Sequence, residues 1–310
     1  MVLPVEKEER RPDRKLALII ANPATKGDIS EYVAAVRAAA PPDVDVWVRY
    51  TRRGKAPLAE VGDLAEQADV LIAAGGDGTV ATVAQIAMRR GLPIGIMPAG
   101  STNIVARDLG IPGDPGGAAR LIFGSHARRS IDLGICNDRW FLHMGGSGID
   151  SKLFLDTNQA HKKRVGWKAY LLPALRNMFA PPARYTLKTE HGTLSVVSPL
   201  VLVAIGGAIL RPELQISRDI ARDDGYLDVF VFTPRSPDKV AETGLKLLSR
   251  QLESSPYVTR IRCKWLEMDA EPTMPVEIDG DVVTLTPATF SIEPLALQVI
   301  VPKRPSHRRL

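Results

Sequence analysis

The chain is poor in cysteine and in aromatic residues, and it has no long uninterrupted apolar run. Its two cysteines, Cys136 and Cys263, stand far apart in 310 residues. That spacing fits no metal-ligand pattern and no disulfide framework, so both read as reduced, buried thiols of a cytoplasmic protein. Aromatics make up 5% of the sequence and are not interleaved with the basic residues, which argues against a nucleic-acid partner. No stretch supplies the ~20 apolar residues of a membrane helix. The longest, Leu194 to Leu210, is interrupted by Ser198, Pro199 and two glycines. The opening residues, MVLPVEKEERRPDRK, hold no apolar core of a signal peptide. Internal repeats and low-complexity segments are missing too. So are two familiar phosphate loops: no Gly-Lys-Ser/Thr closes a glycine run, and no G-x-G-x-x-G leads to a strand and an acidic residue.

What the chain has is bulk. Hydrophobic residues are 45% of it, enough to bury a sizeable core and to exclude wholesale disorder. The length suits two domains. The net charge of +5 is uneven, with excess in the last eight residues, KRPSHRRL, and in His161-Lys162-Lys163-Arg164. Such patches suit polyphosphate substrates or an anionic membrane surface; the C-terminal one reads as a solvated tail.

The first third alternates short apolar strands with helices of about ten residues. Strands are expected at Leu16–Ile20, Val44–Tyr50, Val70–Ala73 and Pro93–Met97. Helices are expected at Ile29–Ala39, Leu58–Gln67, Thr79–Met88, Ser101–Leu109 and Pro115–Phe123. This order implies a parallel sheet covered by helices on both faces. After Gly124 to Arg129 strand-like segments dominate, among them Leu194–Ile205, Leu227–Phe232, Val258–Met268, Met274–Ile278, Val282–Thr286 and Ser291–Val301. A helix is expected from Pro237 to Leu252, with Ser236 as N-cap. The expected fold is an α/β domain with a parallel sheet, followed by a mostly antiparallel β domain resembling a sandwich. The expected parts are a flexible tail (1–14), a nucleotide-binding domain (15–127), a β-rich substrate domain (128–302) and a basic tail (303–310). The cleft between the two domains is the expected site.

The stretch ADVLIAAGGDGTVATVAQIA, Ala68 to Ala87, ends a buried strand in Gly75-Gly76-Asp77-Gly78-Thr79 and opens a helix. Glycines let a ligand approach the main chain, and the helix N-terminus near Thr79 offers unpaired N–H groups and a partial positive charge. Phosphate is the common occupant of such a turn. Asp77 beside phosphate makes sense if Mg²⁺ bridges the two, or if Asp77 handles a proton from an attacking hydroxyl. A plain strand-to-helix turn with Asp77 as N-cap is the alternative, and phosphate binding is the preferred reading. A second stretch, IMPAGSTNIVARDLGIP from Ile96 to Pro112, places Gly100, Ser101, Thr102 and Asn103 at the same sheet edge. Asn22-Pro23-Ala24-Thr25-Lys26, after the first strand, makes a third wall.

GGDGT, followed by P-x-G-S-x-N with Ala106-Arg107, resembles the diacylglycerol kinase catalytic-domain family, which includes bacterial lipid kinases and sphingosine kinases. The resemblance covers nearly the whole chain. Asn22-Pro23 fits the first nucleotide loop, and Thr51 fits a threonine after the second strand. DDGYLDVFVF, Asp223 to Phe232, and IDGD, Ile278 to Asp281, fit two acidic motifs of the second domain. The resemblance implies ATP-dependent phosphorylation of a lipid hydroxyl. Asn22, Pro23, Thr25, Lys26, Thr51, Gly75 to Thr79, and Gly100 to Asn103 would hold the nucleotide. A structural Mg²⁺ would sit on Asp224 and on the carbonyls of Ala221 and Tyr226. Asp281 would be the general base, with Asp279 beside it, and Asp77 would position metal and phosphates or share the base role. Two departures stand out. Asp281 occupies a position where the family has Glu, one methylene longer. Lys26 stands where the first loop has Gly, with Gly27 following, so that either the loop is shifted by one or Lys26 adds charge toward phosphate.

Asp224-Gly225 and Asp279-Gly280 also read as plain hairpin turns between alternating apolar residues. Asp150, after Gly145-Gly146-Ser147-Gly148, is a weaker candidate. His161 to Phe179 is basic first and then apolar, with Trp167, Tyr170 and Phe179. It reads either as an amphipathic helix at an anionic membrane surface or as an ordinary packed helix. The partners expected are ATP, a membrane lipid and, transiently, the membrane surface; a homodimer is left open. Two competing functions are an NAD kinase-like enzyme and a catalytically weak nucleotide or lipid sensor on the same scaffold.

Overall fold

In a computed structural model the described residues are 11–51, 61, 63–148, 182–209, 211–217 and 219–303. Asp150 and the His161–Phe179 stretch lie outside them, as do residues 304–310. The chain forms two compact units. One holds the residues up to Ile131 together with those from Leu295 onward; the other holds Asp132–Pro294.

The first unit is α/β. Its strands β1 (Lys15–Ala21), β2 (Val44–Tyr50), β3 (Val70–Gly75) and β4 (Ile94–Pro98) pair in the order β2-β1-β3-β4, all parallel. β1, β3 and β4 are buried along almost their whole length, as apolar strands covered on both faces must be. Between them run α1 (Ile29–Ala39), α2 (Asp77–Arg90), α3 (Ile104–Asp108) and α4 (Pro115–Phe123). α1 starts where Asp28 accepts a hydrogen bond from the Ser30 N–H, and it buries Ile29, Tyr32, Val33 and Val36, one helical stripe. α4 starts at Pro115 behind the Asp114 cap and buries Ala118, Ala119 and Ile122 against the same core.

The second unit is β-rich. β5 (His126–Cys136) leads into it, followed by β6 (Arg139–Phe141), β7 (Met144–Ser147), β8 (Ala183–Thr189), β9 (Gly192–Ser198) and β10 (Leu200–Ala204). Then come the short pair β11 (Ala208–Ile209) and β12 (Arg211–Gln215), β13 (Leu227–Phe232), helix α5 (Pro237–Leu248) and β14 (Val258–Cys263). β15 (Trp265–Glu271), β16 (Pro275–Ile278), β17 (Asp281–Leu285) and β18 (Ala288–Pro302) complete the chain. One sheet runs β14-β13-β10-β7-β16-β17 and is antiparallel throughout. β8, β9, β15 and the start of β18 pair antiparallel in another. Their inner faces bury Phe141, Tyr185, Val203, Val229, Leu266, Met268, Val276, Ile278 and Phe290 in one cluster. Phe141 and Phe290 meet edge to face at 6.2 Å.

Three segments differ from the sequence reading. The single strand expected over Leu194–Ile205 is two, broken at Pro199, which cannot donate to a ladder. The strand expected over Val258–Met268 divides at Lys264: Val258–Cys263 pairs with β13, while Trp265–Glu271 pairs with β8. No glycine or proline marks that change of partner. The end of β18 belongs to the first unit, where Val299 pairs parallel with Ile94, rather than to the domain expected to run to residue 302. A strand contributed from the far end of the chain leaves no local signal. Among the described residues, no helix is long and apolar enough to cross a membrane.

Both cysteines are free and buried. Burial pushes the Cys136 thiol up to about 11 and the Cys263 thiol up to about 12, with nearby carboxylates adding to each. Neither forms thiolate at neutral pH. The native protein is therefore expected to leave a disulfide thiol reagent unreacted at pH 8 for as long as it stays folded, and to titrate two thiols in denaturant. Rapid reaction of either in the native state would contradict this burial.

Candidate active site

The candidate residues fall into two groups, one in each unit. In the first unit they sit at the carboxyl ends of four strands: Asn22 after β1, Thr51 after β2, Gly76 after β3 and Ala99 after β4. Main-chain bonds tie these ends together. The Asn22 N–H donates to the Ala74 carbonyl at 2.9 Å, that of Thr51 to Ala21 at 2.8 Å, and that of Ala99 to Gly75 at 2.9 Å. The Ala99 carbonyl in turn accepts from the Thr25 hydroxyl at 2.7 Å and from the Gly27 N–H at 3.0 Å. The first loop is thus sewn to the fourth strand's turn through Gly27. A Cβ at Gly27 would stand 3.2 Å from the Ala99 oxygen and 3.1 Å from the Tyr32 ring. The close approach that wants glycine is therefore at 27, one place beyond Lys26, whose side chain is exposed.

Gly76 and Gly100 meet back to back. A Cβ on Gly100 would lie 2.5 Å from the Gly76 Cα and 2.7 Å from the Asn103 Oδ1. The approach leaves no room for a side chain at Gly100, whereas a Cβ on Gly76 would meet the Gly100 Cα at an ordinary 3.4 Å. Asn103, at φ 50°, fixes the second turn: its Oδ1 accepts from the Gly100 N–H at 2.9 Å, and its Nδ2 donates to the Pro98 and Gly100 carbonyls at 3.0 and 2.9 Å. The Asn103 amide is spent on the loop itself. Thr79 is buried, and its hydroxyl takes a long 3.4 Å bond from the Asn22 amide.

Asp77 opens α2, but Gly76 is the N-cap and no side chain caps that helix. The Asp77 carboxylate instead accepts from the Val105 N–H at 3.3 Å, at the start of α3. Burial raises its proton affinity, and the N–H groups of Val105, Ile104 and Asn103 lower it. α3 is shorter than the helix expected over Ser101–Leu109: Ser101 and Thr102 stay in the turn, because Asn103 in the left-handed region is the N-cap. What remains uncommitted faces outward. Ser101 and Lys26 are exposed, Thr51 and Thr102 are half-buried, and none of the four makes a side-chain bond among the described residues. Gly78 is exposed, has ordinary helical backbone, and would present a Cβ to open space.

In the second unit, Asp279 and Gly280 form a two-residue hairpin between β16 and β17, with Ile278 opposite Asp281. Both turn residues have positive φ, 49° and 94°, the requirement of a type I′ turn. The Asp279 carboxylate accepts from the Leu142 N–H at 2.7 Å, from His143 at 2.9 Å and from Met144 at 3.3 Å. Burial pushes it up to about 6 despite those donors and the nearby Arg222 guanidinium. Arg222 is itself buried and donates to the Leu142 carbonyl at 2.7 Å, with the His143 Nδ1 at 3.0 Å. Asp279 is thus an anchor. Asp281, two residues on, is exposed and its side chain makes no bond among the described residues.

The Asp224 turn is different. It leads into β13, whose partners are β10 and β14, so it is not the hairpin its Asp-Gly suggested. Gly225, at φ 72°, donates its N–H to Asp132 at 2.8 Å. One Asp224 oxygen accepts from the Tyr226 N–H at 3.1 Å; the other is 2.5 Å from the Arg262 guanidinium, which also lies 4.6 Å over the Tyr226 ring. A dication on Asp224, Ala221 and Tyr226 would have to displace that guanidinium. Among the described residues no three His, Cys, Asp or Glu side chains come together as metal ligands. As folded, this turn does not fit a resident Mg²⁺ and already carries its own cation.

Comparison with known proteins places this geometry. Residues 15–136 match the family described as "Diacylglycerol kinase catalytic domain", and residues 145–301 match "YegS C-terminal NAD kinase beta sandwich-like domain". The chain belongs to this diacylglycerol kinase catalytic-domain family, with a YegS-type second domain. A curated relative, "Probable lipid kinase YegS-like" of Pseudomonas aeruginosa strain UCBPP-PA14, is 33% identical over 299 residues, 94% of this chain and 95% of that protein. A protein of the same name from Pseudomonas fluorescens is 29% identical over 296 residues, 94% and 96% of the two. A solved structure of a diacylglycerol kinase from Bacillus anthracis str. Sterne superimposes with a TM-score of 0.72 at 19% identity, covering 94% of this chain and 98% of that one. That likeness bears on the fold alone.

Sequence reasoning missed the partners that hold these residues: the Ala99 carbonyl, Arg222, Arg262 and Asp132. It also missed Glu277, a buried carboxyl beside the hairpin. The contrast between two glycines gives a direct check. Gly100→Ala is expected to lower stability by about 1–3 kcal/mol through overpacking. Gly78→Ala is expected to leave it unchanged or raise it by up to about 1 kcal/mol. Thermal melts of the two variants decide; equal losses would refute the back-to-back contact.

Proposed function

We propose that this protein transfers the γ-phosphoryl group of ATP to a hydroxyl of a membrane lipid of diacylglycerol-like chemistry. The observation that carries the reading is the convergence of four strand ends on one parallel-sheet edge. There they leave a helix N-terminus, three small hydroxyl residues (Thr51, Ser101 and Thr102) and a lysine uncommitted beside a glycine, Gly78, that packing does not require. Such an edge binds phosphate through main-chain N–H groups. The family and the curated relatives named as lipid kinases support the choice of acceptor.

In this reading Gly76 to Thr79 and the Gly100–Thr102 turn cradle the phosphates, and Lys26 and Thr51 contact the nucleotide from either side. Mg²⁺ bound with the nucleotide would supply neutralisation of phosphate charge. Asp281, held at the end of a clamped turn, takes the proton from the acceptor hydroxyl. Asp279 keeps that turn in place, and Asp77 keeps the two phosphate turns in register. A peripheral, transient encounter with an anionic membrane surface brings the acceptor.

The test is transfer of labelled γ-phosphate from ATP to a mixed lipid extract, with Asp281→Asn as control. Because the Asp281 side chain is exposed and makes no bond among the described residues, that variant is expected to melt like the wild type. It should lose about 10²–10⁴-fold in rate. Excess chelator should abolish the labelled lipid. Label on NAD instead of lipid, or full activity in chelator, would overturn the reading.

A further inference from the structure

At the Asp224 turn the residues present disagree with the group that the family resemblance calls for. A dication would need Asp224 and the carbonyls of Ala221 and Tyr226. The fold sets an arginine there instead. Arg262 lies in β14, directly opposite Asp228 of β13 in the antiparallel ladder. Opposite charges in facing positions ordinarily pair with each other. Asp228 is nevertheless taken by Arg260, whose Nε donates to it at 2.7 Å. Arg262 reaches past it to the turn, where its Nη2 donates to the Asp224 Oδ2 at 2.5 Å. The same guanidinium lies 4.6 Å over the Tyr226 ring, and the Lys264 ammonium lies 5.7 Å from the centre of that ring. A guanidinium is suited to both contacts, the bond to a carboxylate and the stack on an aromatic face. Displacing it to admit a dication would forfeit the two together.

The turn matters because of what it supports. The Gly225 N–H donates to Asp132 at 2.8 Å, and the Asp132 N–H donates to the Arg222 carbonyl at 2.6 Å. The Arg222 guanidinium holds the Leu142 carbonyl, beside the N–H groups that clamp Asp279. Residues 222–226 therefore form a strut behind the hairpin that carries Asp281.

We propose that Arg262 is the resident cation of this turn, a positioning residue that holds Asp224 and the strut in place of a bound metal ion. The second unit of this chain then keeps its shape without Mg²⁺. A tethered cation brings one charge rather than two, is present at every Mg²⁺ concentration and cannot be drawn off by a chelator. The Mg²⁺ that accompanies ATP in the reading above is a separate ion, and the proposal stands or falls independently of that reading.

The experiment is thermal melting in chelator and across a Mg²⁺ titration, for wild type, Arg262→Gln and Arg262→Lys. Each is compared with its own Asp224→Asn counterpart, so that Mg²⁺ held elsewhere cancels. Wild type is expected to melt within about 1 °C in chelator and in Mg²⁺. Arg262→Gln should melt about 2–4 °C lower in chelator. It should recover most of that loss as Mg²⁺ saturates, because the vacated carboxylate then takes the ion, and the recovery should vanish when Asp224→Asn is added. Arg262→Lys keeps a tethered charge and should respond little to Mg²⁺. A Mg²⁺-dependent rise in wild type that Asp224→Asn removes would overturn the proposal, since the turn would then take a metal despite Arg262. So would an Arg262→Gln that melts like wild type, one whose loss Mg²⁺ leaves untouched, or an equal Mg²⁺ response in Arg262→Lys. Should Arg262→Gln fail to fold in chelator, its refolding yield across the titration decides: rescue by Mg²⁺ supports the proposal and no rescue overturns it.

Discussion

The contact of Gly76 with Gly100 governs the carboxyl edge of the parallel sheet in this protein. Two turns, each at the end of a buried parallel strand, come so close that a Cβ on Gly100 would sit 2.5 Å from the opposite Cα. Everything around them is arranged to hold that approach. The Ala99 N–H bonds to the Gly75 carbonyl, the Ala99 carbonyl collects Thr25 and Gly27, and the Asn103 amide closes its own loop. Each neutral bond is worth only about 1 kcal/mol net. Their sum, with the steric demand for glycine, fixes where the α2 N–H groups point. A cradle set before the ligand arrives spares the ligand that ordering cost.

The second unit reaches rigidity by another route. Its hairpin needs positive φ at two successive residues, which Asp and Gly accept more readily than most. The turn alone would still swing on its two strands. Three N–H groups from residues 142–144 converge on the Asp279 carboxylate, and Arg222 braces the same loop through the Leu142 carbonyl. A carboxylate that resembles a catalytic group in the sequence is thus a fastening. Its neighbour Asp281 is left to face solvent on a support tied down by those bonds. A side chain one methylene shorter than the family's Glu has less reach and also fewer rotamers, so a fixed support matters more for it.

The sequence announced most of this frame. Period, caps and glycine turns located β1 to β4, α1 and α4 to within a residue or two, because each is a local pattern of burial. The Asp279-Gly280 hairpin was legible for the same reason. What stayed hidden was set by distant partners. Lys264, where one strand ends in one sheet and the next begins in another, carries no turn chemistry. Val299 finds Ile94 across most of the chain length. Asp224-Gly225 has the spelling of a hairpin, but the ladder partners of β13 come from elsewhere. Glu277 sits in Val-Glu-Ile, an alternation that reads as half-exposed strand; whether its outer face is covered is a tertiary fact. GGDGT and P-x-G-S-x-N were legible as turns at the ends of buried strands, yet gave no sign that Asn103 would be consumed in shaping its turn.

The carboxylates, taken together, show where chemistry can reside. Asp77 receives the first N–H groups of α3, Asp224 is held by Arg262, Asp132 takes the Gly225 N–H and Asp279 clamps its hairpin. Each of these is a compensated charge, and losing one would first cost geometry. Asp228, buried beside Arg260, belongs with them. Asp281, by contrast, is exposed and its side chain makes no bond among the described residues, and the buried Oε2 of Glu277 meets no donor among them. A carboxylate that the fold does not spend on its own geometry is free to act on something arriving from solvent, and in the reading proposed above that role falls to Asp281.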